Sequence, residues 1–226
     1  MKPNLTSWTL VALVAAGSFV HSQTPTQTPK ATEAAAVVLG PTIRCPVGGL
    51  TRENAALVKS ALTGLTGQSY VCDPCKVEQA AIGTCSKCKA ALQVAERPLL
   101  ASVATAPEEA SIALGLNLRR RTSLIQIENA LMKNGVKLDD QTLTLPGRLL
   151  LVLDGGRADQ IATAKKALDD AHLFAEVGAG TFDTATSKLH FAVRSLATPP
   201  TRAKLIQAIE PHKLHLADVL FVAEPL

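Results

Sequence analysis

Two Cys-x-x-Cys pairs are the residues of this 226-residue chain with the clearest potential for chemistry. Cys72 and Cys75 form the first pair, and Cys85 and Cys88 form the second after nine intervening residues. A tight turn around each pair holds two sulfur atoms at a separation that suits Zn²⁺, for which Zn–S distances are ~2.3 Å. Two such turns can place four sulfurs at the corners of one tetrahedron. The spacing therefore predicts a metal site made of Cys72, Cys75, Cys85 and Cys88.

Three interpretations of the four cysteines remain open. A metal ion could be a structural staple for a segment too short to own a core, or metal binding could be the protein's main function. Two disulfides are the third interpretation, because an oxidising compartment favours oxidised thiols. A redox-active pair is a weaker hypothesis, because neither pair begins an obvious thioredoxin-like helix. Cys45, the fifth cysteine, could be a small buried apolar residue, a fifth thiol near the site or a reactive surface group.

Other clusters of titratable residues give no positive argument for an enzyme. His212 and His215 lie at a predicted helix exit, where a solvated turn is expected. Asp169 and Asp170 with His172 resemble an acid–base cluster, but nothing else converges there. No Ser/His/Asp or Cys/His nucleophile arrangement can be assembled. The sequence therefore predicts a protein without catalytic residues.

The composition indicates small helix-on-sheet modules and argues against nucleic-acid binding. Hydrophobic residues make up 47% of the chain, mostly Ala, Leu and Val, whereas aromatic residues make up only 3%. One Tyr and one Trp offer few platforms on which bases could stack. The formal charge of +4 is spread along the chain apart from Arg119-Arg120-Arg121, a run that is expected to be a solvated loop. No nucleic-acid partner is predicted.

The first 22 residues have the pattern of a secretory signal peptide. Lys2 supplies a positive charge, Trp8 to Val20 form an apolar run of 13 residues, and cleavage is expected before Gln23. The run is shorter than the roughly 20 residues of a spanning helix, although a retained anchor is the alternative. Residues 23–36, rich in Thr, Pro, Gln and Ala, are predicted to be a disordered linker. The mature protein is expected to be periplasmic or secreted, without stable membrane insertion.

The N-terminal half predicts a strand–helix unit followed by the cysteine segment. The unit covers residues 37–69, and its helix begins after Thr51, a residue type that is favoured at helix N-caps. Residues 70–92 form the four-cysteine segment, which is expected to be a small zinc-ribbon-like insertion. Within and just beyond it, Ala90 to Glu96 are predicted to form a short helix.

The C-terminal half alternates strands and helices in ferredoxin-like order. Strand–helix–strand–strand–helix–strand fits residues 148–223 and fits 110–178 equally, so the boundary between tandem or overlapping units over 108–224 stays open. Arg148 to Leu153 are almost continuously apolar, which is typical of a strand that is central in its sheet. The predicted fold class is α+β, with ferredoxin-like βαββαβ repeats whose helices cover one face of each sheet.

The cysteine segment resembles the short heavy-metal-binding segment of bacterial copper-efflux and related envelope proteins. The resemblance covers about residues 70–92 and rests on Tyr-x-Cys-x-x-Cys followed by Gly-Thr-Cys-Ser-Lys-Cys-Lys-Ala-Ala-Leu. Cys75 stands where that family has His, and Pro74 and Ala90 stand where it has Met. The spacer is also one residue shorter. The resemblance implies an all-cysteine ligand set that favours Zn²⁺ or another thiophilic ion, with copper or no metal as the alternatives.

Later segments look like diverged heavy-metal-associated domains, the small ferredoxin-like modules of copper chaperones and P-type ATPases. Leu150 to Leu168 have their strand, loop and first-helix pattern, and a strand–glycine–helix start recurs near residues 49, 115 and 156. The family's metal-binding cysteines fall on Arg157 and Gln160 here, and neither side chain can bind a soft cation. The resemblance therefore implies the fold of these repeats without metal transfer by them.

Together these features predict an exported heavy-metal-binding protein that acts as a buffer, sensor or adaptor in envelope metal handling. Its expected partners are a metal ion and an envelope protein. The alternative is a non-catalytic protein-interaction module, in which the four-cysteine site is only a staple of metal or disulfides. A thiol oxidoreductase is a third hypothesis and requires reversible disulfide exchange.

Overall fold

Three antiparallel sheets and four α-helices form the part of the chain that the computed structural model describes, residues 39–79, 82–117 and 120–222. The predicted signal peptide and linker, over 1–22 and 23–36, lie outside these residues. The strands are β1 (Leu39–Gly48), β2 (Thr66–Cys72), β3 (Val77–Gln79), β4 (Gln93–Pro98), β5 (Leu100–Ala106), β6 (Ser111–Asn117), β7 (Thr122–Ser123), β8 (Lys137–Leu138), β9 (Arg148–Asp154), β10 (Phe174–Asp183), β11 (Lys188–Ser195) and β12 (His215–Val222). The helices are α1 (Arg52–Thr63), α2 (Leu124–Met132), α3 (Ile161–Asp170) and α4 (Arg202–Ile209).

The five-stranded sheet has the order β10-β11-β9-β12-β7. The chain runs through β9, α3 and β10, turns back into β11, and returns through α4 to β12. Neighbouring strands pair antiparallel, and the order of β9 to β12 over 148–222 is consistent with a ferredoxin-like arrangement. β9 is central, and its residues Leu149 to Leu153 are buried. The prediction of a central apolar strand is therefore confirmed.

The four-stranded sheet has the order β5-β6-β1-β8 and connects its strands in the same sequence of steps. β1 leads into α1, the β5–β6 hairpin follows, and α2 leads to β8. A third sheet over residues 66–98 is inserted between α1 and β5. Because β6 pairs with β1 and β5, the interpretation of 110–178 as one unit is wrong. β11 and β12 already occupy both sides of β9, which leaves no position there for β6.

Helix α1 begins at a reciprocal cap, which confirms the predicted N-cap. Thr51 Oγ1 accepts a hydrogen bond from the Asn54 amide at 3.3 Å, and Asn54 Oδ1 accepts one from the Thr51 amide at 2.8 Å. The buried face of the helix carries Val58 and Leu62. These two side chains join a cluster of buried apolar residues that continues through both larger sheets. The core thereby fixes the end of α1, from which the chain enters the inserted sheet.

The predicted helix over 90–96 is wrong, because this part of the chain leads into strand β4. β4 pairs with β2 along its length, from Gln93 opposite Val71 to Pro98 opposite Thr66. The local composition, rich in Ala, Leu, Gln and Glu, favours a helix, but pairing with a strand distant in sequence overrides that weak preference. With β3 on the other side of β2, the result is a three-stranded sheet of order β3-β2-β4.

A buried ion pair fastens the inserted sheet to the rest of the chain. Arg120 Nε and Nη2 donate to Glu78 Oε1 at 2.9 and 2.7 Å, and the two side chains are only 9% and 6% exposed. Arg120 also donates to the carbonyl oxygen of Pro98. One guanidinium therefore contacts both outer strands of the inserted sheet. The expectation of a solvated arginine run is wrong for Arg120, because the partner that buries it is 42 residues away in sequence.

This ion pair generates a stability prediction. Glu78→Gln should lower the free energy of unfolding by about 3 kcal/mol, because it leaves the Arg120 guanidinium buried without its counter-charge. Urea unfolding followed by circular dichroism measures the change. Glu108→Gln is the matched control, since it breaks the exposed Arg52–Glu108 pair, in which the side chains are 81% and 68% exposed. Equal losses in the two variants would contradict the special role of the buried pair.

Candidate metal centre

The structure brings the four predicted cysteines of the inserted sheet to one place. Their sulfur atoms, those of Cys72, Cys75, Cys85 and Cys88, all lie within 4.8 Å of one another. Cys72 ends strand β2, and Cys75 ends the short 3₁₀ turn that follows it. Cys85 and Cys88 lie on a second turn between β3 and β4. These residues are separated by up to 16 positions in sequence, so folding of the inserted sheet is what assembles the cluster.

The first cysteine pair lies on the turn of the β2–β3 hairpin. Cys72 is opposite Val77 in the strand pairing, and the turn closes with a hydrogen bond from the Lys76 amide to the Asp73 carbonyl at 3.2 Å. Pro74 lies inside this turn, where its fixed φ stiffens the backbone. Lys76, the residue after the second cysteine, has a left-handed conformation with φ of 51°.

The second cysteine pair lies on a similar hairpin turn. Thr84 and Ala91 form an antiparallel bridge, and the Cys85 amide donates to the Ala90 carbonyl at 2.8 Å. The Lys89 amide closes the turn onto the Cys85 carbonyl at 2.9 Å, and Lys89 has a φ of 63°. Both turns therefore place a lysine in the left-handed region directly after the second cysteine. Two such hairpin turns facing each other are consistent with the predicted zinc-ribbon-like segment.

Backbone amides point at the first sulfur of each turn. The Cys75 amide donates to the Cys72 sulfur, and the Cys88 and Lys87 amides donate to the Cys85 sulfur. An N–H group directed at sulfur stabilises the thiolate over the thiol. Each turn is thus arranged to support negative charge on the cysteine that begins it, which is the ionisation state that a metal requires.

The sulfurs compete for protons because they are so close together. The Cys88 amide is the main cause that lowers the pKa of Cys85 to about 6. The side-chain hydrogen bond with Cys88 is the main cause that raises the pKa of Cys75 to about 12. For Cys72, the Cys75 amide lowers the pKa, but burial and hydrogen bonds to Cys88 and Cys85 raise it overall. Four thiolates so close together repel one another, and a cation among them removes that repulsion.

The separation of the Cys72 and Cys88 sulfurs is close to that in a tetrahedral thiolate site. The sulfurs of Cys72 and Cys88 are 3.6 Å apart. With Zn–S bonds of ~2.3 Å, the corners of a regular tetrahedron are about 3.8 Å apart. Four soft sulfur donors with no oxygen or nitrogen donor among them favour thiophilic ions. All five cysteines of the chain are free thiols in the structure. The four clustered cysteines could therefore hold a metal ion.

Burial of the four cysteines is graded across the cluster. Cys72 and Cys85 are buried, Cys75 is half-buried and Cys88 is exposed. Among the residues that the structure describes, the apolar cluster around them is small, with Leu92 as its other buried member and Tyr70 packed against it. A sheet with so little apolar burial gains little stability from the hydrophobic effect alone. The stability of the inserted sheet therefore depends on groups other than a large apolar core, and a metal ion bound by the four sulfurs would add to it.

The remaining sequence-predicted candidates lie elsewhere. Cys45 is 1% exposed within β1, and burial raises its pKa to about 12, so the structure places it in the main core rather than near the four-cysteine cluster. Asp169 and Asp170 form ion pairs with the lysines four residues before them on α3. Among the described residues, no helix has both the length and the apolar character to cross a membrane.

Sequence reasoning missed three features of the site: the left-handed lysines, the amide donors to sulfur, and the ion pair behind β3. Only the first had a visible signal, since Cys-x-x-Cys-Lys occurs at both turns. The amide donors depend on the turn conformation, and the partner of Glu78 depends on the tertiary fold.

Comparisons with known proteins leave the family of this chain open. No family model matches it, and no curated protein matches it. Among solved structures, it is similar to the water-soluble region of the P-type ATPase CopA from Bacillus subtilis, with 12% sequence identity and a TM-score of 0.29. That similarity covers 78% of this chain and 91% of the other. A TM-score of this size does not establish a shared fold, and it supports no inference about function.

The left-handed lysines generate a prediction in which Gly and Ala act in opposite order. Lys89→Gly should make the cysteine segment about 1 kcal/mol more stable than Lys89→Ala, because only glycine adopts positive φ without steric cost. At Lys87, which does not have positive φ, the Ala variant should be the more stable. Tyr70 fluorescence measures unfolding of the segment, since it is the only tyrosine and the only tryptophan, Trp8, precedes Gln23. The same order at both positions would contradict this account.

Proposed function

We propose that this protein binds one thiophilic metal ion, with Zn²⁺ as the first candidate, through Cys72, Cys75, Cys85 and Cys88. The observation that carries the proposal is the convergence of four sulfur atoms within 4.8 Å of one another. Zinc is favoured because a tetrahedral set of four thiolates is its usual structural site, and because it needs no change of oxidation state. Copper is the alternative ion.

The proposed role is that of an exported metal buffer, sensor or adaptor that works with an envelope protein. The burial gradient supports a role beyond stapling, because an exposed ligand gives a metal ion or another thiol access to the site from solution. Cys88 is such a ligand, whereas Cys72 and Cys85 are buried. The proposal assigns the chain no catalytic activity, since its thiols would act as ligands.

The proposed domain organisation follows the sheets. Residues 39–138 would form one ferredoxin-like unit, interrupted by the cysteine segment, and 148–222 would form a second, diverged unit. The ends of the interruption lie side by side, because the Leu99 amide donates to the Leu65 carbonyl at 2.9 Å. The inserted sheet could therefore have been added to a unit that was already complete.

The alternative function is a protein-interaction module in which the cysteine segment is only a staple. The hydrogen bond between Leu65 and Leu99 favours this alternative. It brings the two ends of the segment together, so the segment can be removed without separating the two larger sheets. Replacing residues 66–98 with a two-glycine link tests it. Under the alternative, the shortened protein keeps its fold and its affinity for the envelope partner. Loss of the partner by a shortened protein that still folds would contradict the alternative and favour a role for the cysteine segment itself.

Metal content is the decisive prediction. The mature protein purified without chelator should contain about one zinc ion per chain by mass spectrometry, and the thiols of Cys72, Cys75 and Cys85 should stay protected from alkylation until the metal is removed. The double variant Cys72→Ser/Cys75→Ser should contain none, because two sulfur ligands remain. Cys45→Ala is the matched control and should retain full binding, since Cys45 lies in the main core. Stoichiometric metal in the double variant would rule out the proposed ligand set.

Export is tested by the N-terminus of the mature chain. Intact-mass measurement of protein from the exported fraction should give a chain that begins at Gln23, because cleavage is proposed after the apolar run. The double variant Leu13→Asp/Val14→Asp should block export, since charge disrupts the apolar region of a signal peptide. A chain of full length recovered from the membrane fraction would support the retained anchor instead.

A further inference from the structure

Cys88 differs from the other three cysteines of the cluster in being open to solvent. Cys85 is fully buried, Cys72 is 7% exposed, and Cys75 is half-buried. The Cys88 sulfur nevertheless lies 3.6 Å from the Cys72 sulfur, on the other hairpin turn. Such a pair is suited to thiol–disulfide exchange. The accessible thiol can react with a disulfide from solution, and the buried thiol can then close a disulfide with it.

We propose that Cys88 is a site of thiol–disulfide exchange and that its modification closes a Cys72–Cys88 disulfide between the two turns. This inference rests on the proposed function in one respect, since it takes the cluster to be loaded with metal. Closing this disulfide removes two of the four ligands, so the metal ion is released. The site is thereby sensitive to the redox state of its compartment.

The chemistry balances with a low-molecular-weight disulfide as the oxidant. The Cys88 thiolate attacks one sulfur of the small disulfide, forms a mixed disulfide and expels one small thiolate. The Cys72 thiolate then attacks the Cys88 sulfur and expels the second small thiolate. The two protein thiolates lose two electrons in total, and the small disulfide gains them. The metal ion leaves as an unchanged cation, because two thiolates alone do not retain it.

Geometry favours the disulfide between turns over one within a turn. The Cys72 and Cys88 sulfurs must approach by about 1.5 Å to reach a disulfide bond length of about 2.05 Å. Attack by Cys85, the other cysteine of the Cys88 turn, requires a fully buried sulfur to leave two backbone amides that donate to it. Cys72 accepts one such amide, and it lies at the end of a strand, where its sulfur faces the opposite turn.

The charge next to Cys88 selects the class of oxidant. Lys87 and Lys89 flank it, and both are exposed. Their positive charges on the Cys88 turn attract an anionic disulfide and repel a cationic one, and salt weakens both effects; Lys87 also donates to the Cys75 carbonyl at 3.1 Å. The proposed co-reactant is therefore a disulfide that carries carboxylates, such as oxidised glutathione, rather than a diamine disulfide such as cystamine.

The experiment treats the reduced mature protein, loaded with zinc, with oxidised glutathione. Released zinc is followed with a chromophoric chelator, and the protein disulfides are mapped by peptide mass spectrometry. The expected result is one Cys72–Cys88 disulfide for each zinc released. Disulfides within the turns, Cys72–Cys75 and Cys85–Cys88, would overturn the inference, and so would a Cys75–Cys88 disulfide, since the Cys75 side chain also hydrogen-bonds to Cys88. Protein that takes up no zinc refutes the proposed function instead, and the map of the metal-free protein still decides the pairing.

Two single variants form a matched pair, because each removes one ligand. Cys75→Ser keeps both proposed partners and should still form the Cys72–Cys88 disulfide. Cys88→Ser should form its first mixed disulfide at least about ten-fold more slowly, because the remaining thiols are less accessible. Similar rates in these two variants would contradict the assignment of Cys88 as the point of attack.

The charge assignment has its own control. Lys87→Gln/Lys89→Gln should lower the ratio of the rate with oxidised glutathione to the rate with cystamine by several-fold. Lys165→Gln/Lys166→Gln, on α3 in the second unit, should leave that ratio unchanged. An unchanged ratio in the first double variant would remove the lysines from the proposal.

Discussion

The closeness of four sulfur atoms, all within 4.8 Å of one another, is the main constraint on a sheet whose own apolar cluster is small. In most small sheets, side chains buried on one face supply the stability, and the polar groups at the turns are incidental. Here the cysteines lie on the turns, and among the described residues the apolar cluster that contains the two buried cysteines has one further buried member, Leu92. The folded structure of the cysteine segment therefore depends on the state of its sulfurs. They can be protonated, bound to a metal ion or joined in disulfides.

The larger sheets supply what the inserted sheet lacks. The amide of Leu99 and the carbonyl of Leu65 close its base, and the Arg120 guanidinium contacts β3 through Glu78 and β4 through the Pro98 carbonyl. A buried charge in such a place is costly unless it is paired, so the Glu78–Arg120 contact favours one arrangement of the sheet over others. The cysteine segment is thus attached to the two larger sheets, and their stability comes from the core that they share.

The parts of this structure that could be predicted from sequence are those that local chemistry determines. The spacing within Cys72–Cys75 and within Cys85–Cys88 predicted that each pair lies on one turn, because a short turn leaves few alternatives, and the ligand count of a tetrahedral site predicted that the two turns meet. The apolar run of β9 predicted a central strand, because a strand that is central in its sheet is almost continuously apolar. Strand β4 was mispredicted, because an Ala- and Leu-rich stretch favours a helix until a distant strand pairs with it. The burial of Arg120 could not be predicted either, because it depends on a partner 42 residues away.

The charged side chains around the four cysteines affect whether the metal-bound or the metal-free state is favoured. A divalent ion with four thiolates leaves two negative charges in excess, and Lys76, Lys87 and Lys89 lie on the two turns that carry those thiolates. Lys87 also donates to the Cys75 carbonyl at 3.1 Å, which joins one turn to the other. Without a cation, repulsion between the sulfurs opposes ionisation of all four. Metal binding and disulfide formation each relieve that repulsion. Which of the two occurs is then a question of access, and Cys88 is where access is greatest.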